Sequence, residues 1–209
     1  MVMVEITPPP RIAKLPRDSA GRPVPWFVYW KDGVPDFRVI GPGKVADAYY
    51  KRLCFVCGEP LGKFAAFVIG PMCAINHTSG EPPNHRDCAL YSVRACPFLT
   101  TPRMHRRERD LPKDYDMPGI GITRNPGVAL VWITKTYRPL NTPTGPICKF
   151  GEPVETLWFC EGRPATRAEI IHSIETGLPI LRQLAQDEGP AAVKDLETRY
   201  NRMLALLPP

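Results

Sequence analysis

Residues 54–62 read CFVCGEPLG, and residues 85–88 read HRDC. Each stretch sets two potential metal ligands three positions apart. Zinc takes thiolate and imidazole donors at the corners of a tetrahedron, and a short C-x-x-C turn places two sulfurs on one ion. Gly58 supplies the backbone freedom that the turn needs directly after its second cysteine. Cys54, Cys57, His85 and Cys88 therefore form the leading candidate metal set. Two other readings of Cys54 and Cys57 remain open: buried core thiols, with His85 on the surface, or a redox dithiol. The second wants its C-x-x-C at the start of a helix, and Gly58-Glu59-Pro60 opens a helix poorly.

Between the two pairs, KFAAFVIGPMCAIN (63–76) is expected to form two short buried strands broken at Gly70-Pro71, followed by a polar loop, HTSGEPPN. HRDCALYSVRAC then reads as a helix, with Asn84 as its N-cap, Ala89, Val93 and Cys96 on its apolar face, and Pro97 as its stop. Knuckle, hairpin, then a helix carrying two ligands in its first turn resembles the treble-clef zinc finger over residues 54–96. That resemblance implies a structural metal and leaves the activity open. Cys73 and Cys96 are alternate ligands. With them, a four-cysteine iron–sulfur cluster becomes the alternative cofactor, since a cysteine followed by proline, as at Cys96-Pro97, occurs in such sites. Both also suit small buried thiols, and Cys148 and Cys160 are read as structural.

The 209 residues allow one large domain or two small ones, with a substantial core. Prolines number 26, well above the usual share of about 5%. They are dispersed among apolar segments, which points to many rigid connections between short elements rather than to disorder. Residues 1–25 read as a Pro-rich basic arm, 26–100 as a hairpin plus the finger, 101–127 as a basic, Pro/Gly-rich connection, and 128–209 as strands followed by helices. WFVYWKDGVPDFRVI predicts a hairpin about Asp32-Gly33. KVADAYYKRL predicts a short helix with Val45, Ala48, Tyr49 and Leu53 inward. GVALVWITKTYRPL and VETLWFCEG are the next strands, separated by a Pro/Gly loop with Cys148. Thr166-x-x-Glu169 is a capping box for a helix that Gly177 and Pro179 are expected to kink or interrupt, and a second helix follows Pro190. This order predicts an α+β fold: short-strand sheets, an embedded treble-clef-like finger and a C-terminal helical hairpin.

No apolar run is long enough to span a membrane, and the N-terminus lacks the order of a secretory signal. A cytoplasmic setting is therefore expected, where seven cysteines serve as ligands, core residues or reactive thiols rather than disulfides. The formal charge is +6, a weak pointer to polyanionic partners. Residues 102–113, PRMHRRERDLPK, concentrate that charge in Arg103, Arg106, Arg107, Arg109 and Lys113. Such clustered cations contact phosphates, and Tyr91, Phe98 and Tyr115 nearby are candidates to stack on bases. A solvated loop with local pairing to Glu108 and Asp110 is the bland alternative.

Catalysis is weakly signalled. HNH-type nucleases are treble-clef relatives that need a histidine base and a divalent cation at the phosphate. Asn76, His77, Asn84 and His85 stand where those parts belong, but the first hairpin strand, FAAFV, lacks the expected His pair. His77 is left as the one candidate base, otherwise a polar residue at a hairpin end. A Cys73/His77 nucleophile pair fails on strand spacing, and Gly41-Pro42-Gly43-Lys44 is a turn rather than a phosphate loop. Over residues 22–100, the pattern VPWFVYWKDGVPDFR, CFVCGEPLG, FVIGPMCAIN and EPPNHRDCALYSVRACPFL resembles a family of uncharacterised phage and bacterial proteins. The resemblance implies a phage or prophage setting. The expected function is a zinc-stabilised, non-enzymatic binding protein contacting nucleic acid. Its alternatives are a binder of host protein, in counter-defence or host takeover, and an HNH-like nuclease.

Overall fold

The structure, a computed structural model, describes residues 6–101, 104, 125–143 and 145–209. Its centre is one strand, ALVWIT, buried on both sides. A strand flanked by layers on both faces reads as an unbroken apolar run instead of an alternating one, and this segment obeys that rule.

In chain order the elements begin with α1 (Pro10–Ala13), the hairpin strands β1 (Val28–Lys31) and β2 (Val34–Ile40), and α2 (Lys44–Tyr50). Next come β3 (Ala65–Ile69), α3 (Pro71–Asn76), β4 (Thr78–Ser79), α4 (Arg86–Ala95) and α5 (Pro97–Thr100). The later part holds β5 (Ala129–Thr134), β6 (Tyr137–Thr142), β7 (Gly145–Phe150), β8 (Pro153–Cys160), β9 (Arg163–Pro164), α6 (Arg167–Glu188) and α7 (Pro190–Leu204). They form three antiparallel sheets, ordered β1-β2, β3-β5-β8-β9 and β4-β7-β6. The mixed helix-and-small-sheet architecture agrees with the α+β expectation.

Period-two alternation assigns the faces of the four-stranded sheet. Phe67, Leu130, Trp132, Trp158 and Cys160 point to one side, where α3, α6 and α7 cover them with Ile75, Ile170, Ile174, Leu196 and Met203. Ala66, Val131, Ile133 and Phe159 point to the other side, against Ala89 and Val93 of α4. The sheet thus holds the helical hairpin on one face and α4, whose start carries His85 and Cys88, on the other.

Several expectations are corrected. Residues 71–76 are a helix, not a second strand, because Pro71 at the first helical position has no amide to lose and a preset φ. Consequently β3 pairs with β5 rather than with its own successor, and the finger's hairpin is reduced to a single bridge, Ala66 with Asn84. GVALVWITKTYRPL is two strands in different sheets, β5 and β6. Cys148 lies on β7 and is fully buried, instead of in a loop. Leu53 falls beyond the end of α2. The N-terminal arm carries the short helix α1, which buries Ile12.

The helix α6 runs through Gly177 and Pro179 without interruption. Gly177 serves a close approach: a Cβ there would stand 2.9 Å from Met72 of α3. The Thr166/Glu169 capping box is present, with each residue bonded to the other's backbone. Arg163 first, then the Thr166 N–H, draw the Glu169 carboxyl from an ordinary 4.5 to about 2. A depressed carboxyl stabilises fully above its unfolded value and loses that contribution as pH falls through the folded one. Glu169→Gln should therefore cost about 1 kcal/mol at neutral pH and flatten the stability decline that the parent shows between about pH 4.5 and 2. Urea titrations of both proteins across that range check it.

Candidate metal centre

The knuckle is built by a tight chain reversal. Leu53 and Pro60 form an antiparallel bridge, Cys54 N–H donates to Glu59 O (2.8 Å), and Leu61 N–H donates to Arg52 O (2.7 Å). Gly58 N–H closes the turn onto Cys54 O (2.8 Å) with φ +75°. Any side chain there would be strained, and its Cβ would stand 2.6 Å from the Trp26 indole. The turn accordingly requires glycine twice over. Phe27 stacks on Phe55 with centroids 4.4 Å apart, and Trp26 N–H donates to Val56 O (2.7 Å), so the segment leading into β1 braces the knuckle.

The second pair enters from α4. His85 is its N-cap and Cys88 sits in its first turn, where the positive end of the helix favours a thiolate. The donor atoms of Cys54, Cys57, His85 and Cys88 all lie within 4.8 Å of one another. A tetrahedral zinc with ordinary bond lengths sets its ligand atoms roughly 3.5–3.8 Å apart, so a small cation fits with little adjustment. Cys57 Sγ already lies 3.3 Å from His85 Nδ1. On the opposite side of that ring, Nε2 is 3.0 Å from Pro60 O. A carbonyl only accepts, so Nε2 carries the proton and Nδ1 presents its lone pair toward Cys57. This is the usual second-sphere device for orienting a ligating imidazole.

Electrostatics at the sulfurs favour a single anion. Hydrogen bonds from the Cys57 and Cys88 side chains, then the amides of Cys57 and His85, pull the Cys54 thiol far below its ordinary value against the effect of burial. Bonding to Cys54 conversely pushes Cys57 up to about 11 and Cys88 higher still. A coordinated cation reverses that balance, because a ligating thiol is deprotonated outright.

Sequence reasoning gave Asn84 the wrong role. It is not the helix cap. It is buried, its Oδ1 accepts the Val56 N–H (3.0 Å), and its backbone exchanges two hydrogen bonds with Ala66 (2.7 and 2.8 Å). It ties the knuckle, β3 and the start of α4 into one frame. Asn84→Ala leaves the Val56 amide unpartnered and should weaken metal binding by about 10- to 100-fold. Competition with a chromophoric chelator measures this, and an unchanged affinity would remove Asn84 from the site. The N-terminal arm was missed. Ile12 packs on Cys54, Cys57 and Cys88, while Arg11 bridges Glu59 of the knuckle (3.0 Å) and Asp87 of α4 (3.2 Å).

The alternate ligands are elsewhere. Cys73 packs into the main core from α3, where burial raises its thiol to about 11, and Cys96 ends α4; neither joins the Cys/His group. His77 caps α3 with φ +53°, its ring packed against Trp132 and Phe150. Burial, then Arg199, Lys149 and Arg202, hold its imidazolium below the usual range against an opposing Glu152. Cys73 and His77 share the end of one helix, so the strand-spacing argument about them lapses. Arg103, Arg106, Arg107, Arg109 and Lys113 lie outside the described residues. Among the described residues, no helix is long and apolar enough to cross a membrane.

Comparisons with protein-family models, with curated proteins and with solved structures find no match to this chain.

Proposed function

We propose that this chain is a zinc-stabilised binding protein whose partner is nucleic acid, and that the metal is structural. The observation that carries the metal reading is the Cys₃His donor set itself. Four protein ligands complete a tetrahedron, whereas a catalytic zinc keeps one position open for water. Soft sulfur with one imidazole suits zinc, and the two remaining nearby thiols in sequence, Cys73 and Cys96, stand outside the group, which disfavours a four-cysteine iron–sulfur cluster. The reduced hairpin makes the finger at most a treble-clef variant: knuckle and helix are present, with α3 set between them.

Nucleic acid is proposed on charge, an excess of 27 Lys and Arg over 21 Asp and Glu, since phosphate contacts are made by such cations. No catalytic step is assigned. His77 is engaged in packing and belongs to no metal-ligand group among the described residues, which counts against an HNH-like nuclease. A second reading, a protein partner such as host machinery in a phage setting, draws on the exposed Trp30, Val34 and Phe37 of the β1–β2 hairpin.

Elemental analysis of the purified protein should find about one zinc per chain. Finding iron with sulfide, or no metal, would refute the metal reading. Binding to bulk DNA or RNA that weakens steeply with salt supports the nucleic-acid partner; retention of host protein with no such binding replaces it.

A further inference from the structure

Across the β6–β7 ladder, Arg138 stands directly opposite Lys149, and on the other side of β7 Lys149 faces Thr78. Both cations are exposed. Like charges directly opposite each other weaken an antiparallel pair, so this placement works against the sheet unless something shares the two charges. Among the described residues nothing supplies it. Seven other arginines each hold a carboxylate, Arg86 with Glu155, Arg182 with Glu197 and Arg199 with Asp195 among them. Arg138, Lys149 and Arg202 hold none among the described residues.

The two cations also border an open concavity of about 260 Å³, with Thr136, Tyr137, Phe150 and Gly151 completing its lining. Arg52 lies 5.0 Å over the Tyr137 ring at this edge. From Lys149 the positive field continues to Arg199 and Arg202 of α7, all three acting on His77. The one acidic group acting on the same histidine is Glu152. Arg138, Lys149 and Arg202, exposed and holding no carboxylate among the described residues, together fit a linear polyanion.

We infer that the outer face of the β4-β7-β6 sheet, centred on Arg138 and Lys149 and continuing toward Arg202, is the phosphate-contacting surface for nucleic acid. The inference rests on the nucleic-acid reading above and locates the contact outside residues 102–113. Arg138 and Lys149 act as phosphate contacts, with Arg202 extending the row.

The test titrates the full-length protein into a labelled mixed-sequence oligonucleotide, single-stranded and as its duplex, by anisotropy over a range of salt. The Arg138→Ala/Lys149→Ala double variant should bind at least about tenfold more weakly near 0.1 M salt. Its log K against log salt slope should be shallower by roughly 1.5, the share of two lost phosphate contacts. Its melting temperature should equal or exceed the parent's, because the like-charge pair is gone. Arg138→Gln/Lys149→Gln carries the same test should the alanine pair melt lower. The charge-conserving exchange Arg138→Lys/Lys149→Arg should keep the parent slope. Parent binding with an unchanged affinity and slope in the double variant overturns this surface while leaving the nucleic-acid reading standing. A parent that binds neither oligonucleotide overturns both.

Discussion

Cys54→Ser is expected to purify without metal and to lose its cooperative melt. Cys54 is fully buried, and its sulfur accepts the amides of Cys57 and His85, each at 3.4 Å. Serine keeps an acceptor for those amides, so the substitution removes a soft metal ligand while sparing the hydrogen bonds. Structural zinc in finger peptides binds with about 10–16 kcal/mol, while a whole domain is stable by only about 5–15 kcal/mol. Losing the ion thus forfeits an amount comparable to the total. Near-UV circular dichroism, a thermal melt and elemental analysis report the outcome together. A chelator added to the parent should reproduce the effect, and readdition of zinc should reverse it. A metal-free Cys54→Ser that melts like the parent would show that the cluster is four packed side chains and no more.

The next largest effect belongs to Trp132, on the opposite face of the sheet from α4. It has no exposed surface, its Nε1 donates to Gly151 O (3.0 Å), and its ring contacts His77 and Phe150. Trp132→Ala should cost about 3–5 kcal/mol through the lost burial and the cavity left behind, with the Gly151 carbonyl losing its partner as well. For a chain of this size that lowers the melting temperature by about 10–15 °C. Metal content should stay at the parent level, since no ligand touches the main core cluster. That separates it from Cys54→Ser, where metal and melt disappear together. A drop of only a degree or two would mean that the core repacks around the void.

How far the sequence was legible follows from how local each feature is. The ligand pairs were legible because C-x-x-C and H-x-x-C encode the site in short spacings, and the fold had only to bring two such turns together. The Asp32-Gly33 hairpin and the Thr166/Glu169 cap were legible for the same reason. The segment 71–76 was not. Its short apolar run carries no decisive period, and what holds it as a helix is packing on α6, where Gly177 lets Met72 approach. The pairing of β3 with β5 was equally hidden, because the chain between them gives no local sign that the partner lies so far on. Asn84 shows a subtler limit. An asparagine just before a helix suits a cap and a buried brace equally, and only its contacts with Val56 and Ala66 distinguish the two. The five basic residues of 103–113 remain an expectation.

The route of β3 also bears on how the chain comes together. All four ligands lie within residues 54–88, whereas the strand that covers β3 begins at Ala129. On a ribosome the knuckle and α4 emerge and can close around an ion while β5 is still being synthesised. The apolar side of α4, Ala89 and Val93, must then wait for Val131 and Ile133 to arrive. A metal bound early would hold that unfinished face in register and shorten the effective loop that β5 has to close. Zinc availability during synthesis would then govern the yield of soluble protein more strongly than zinc supplied to the finished chain.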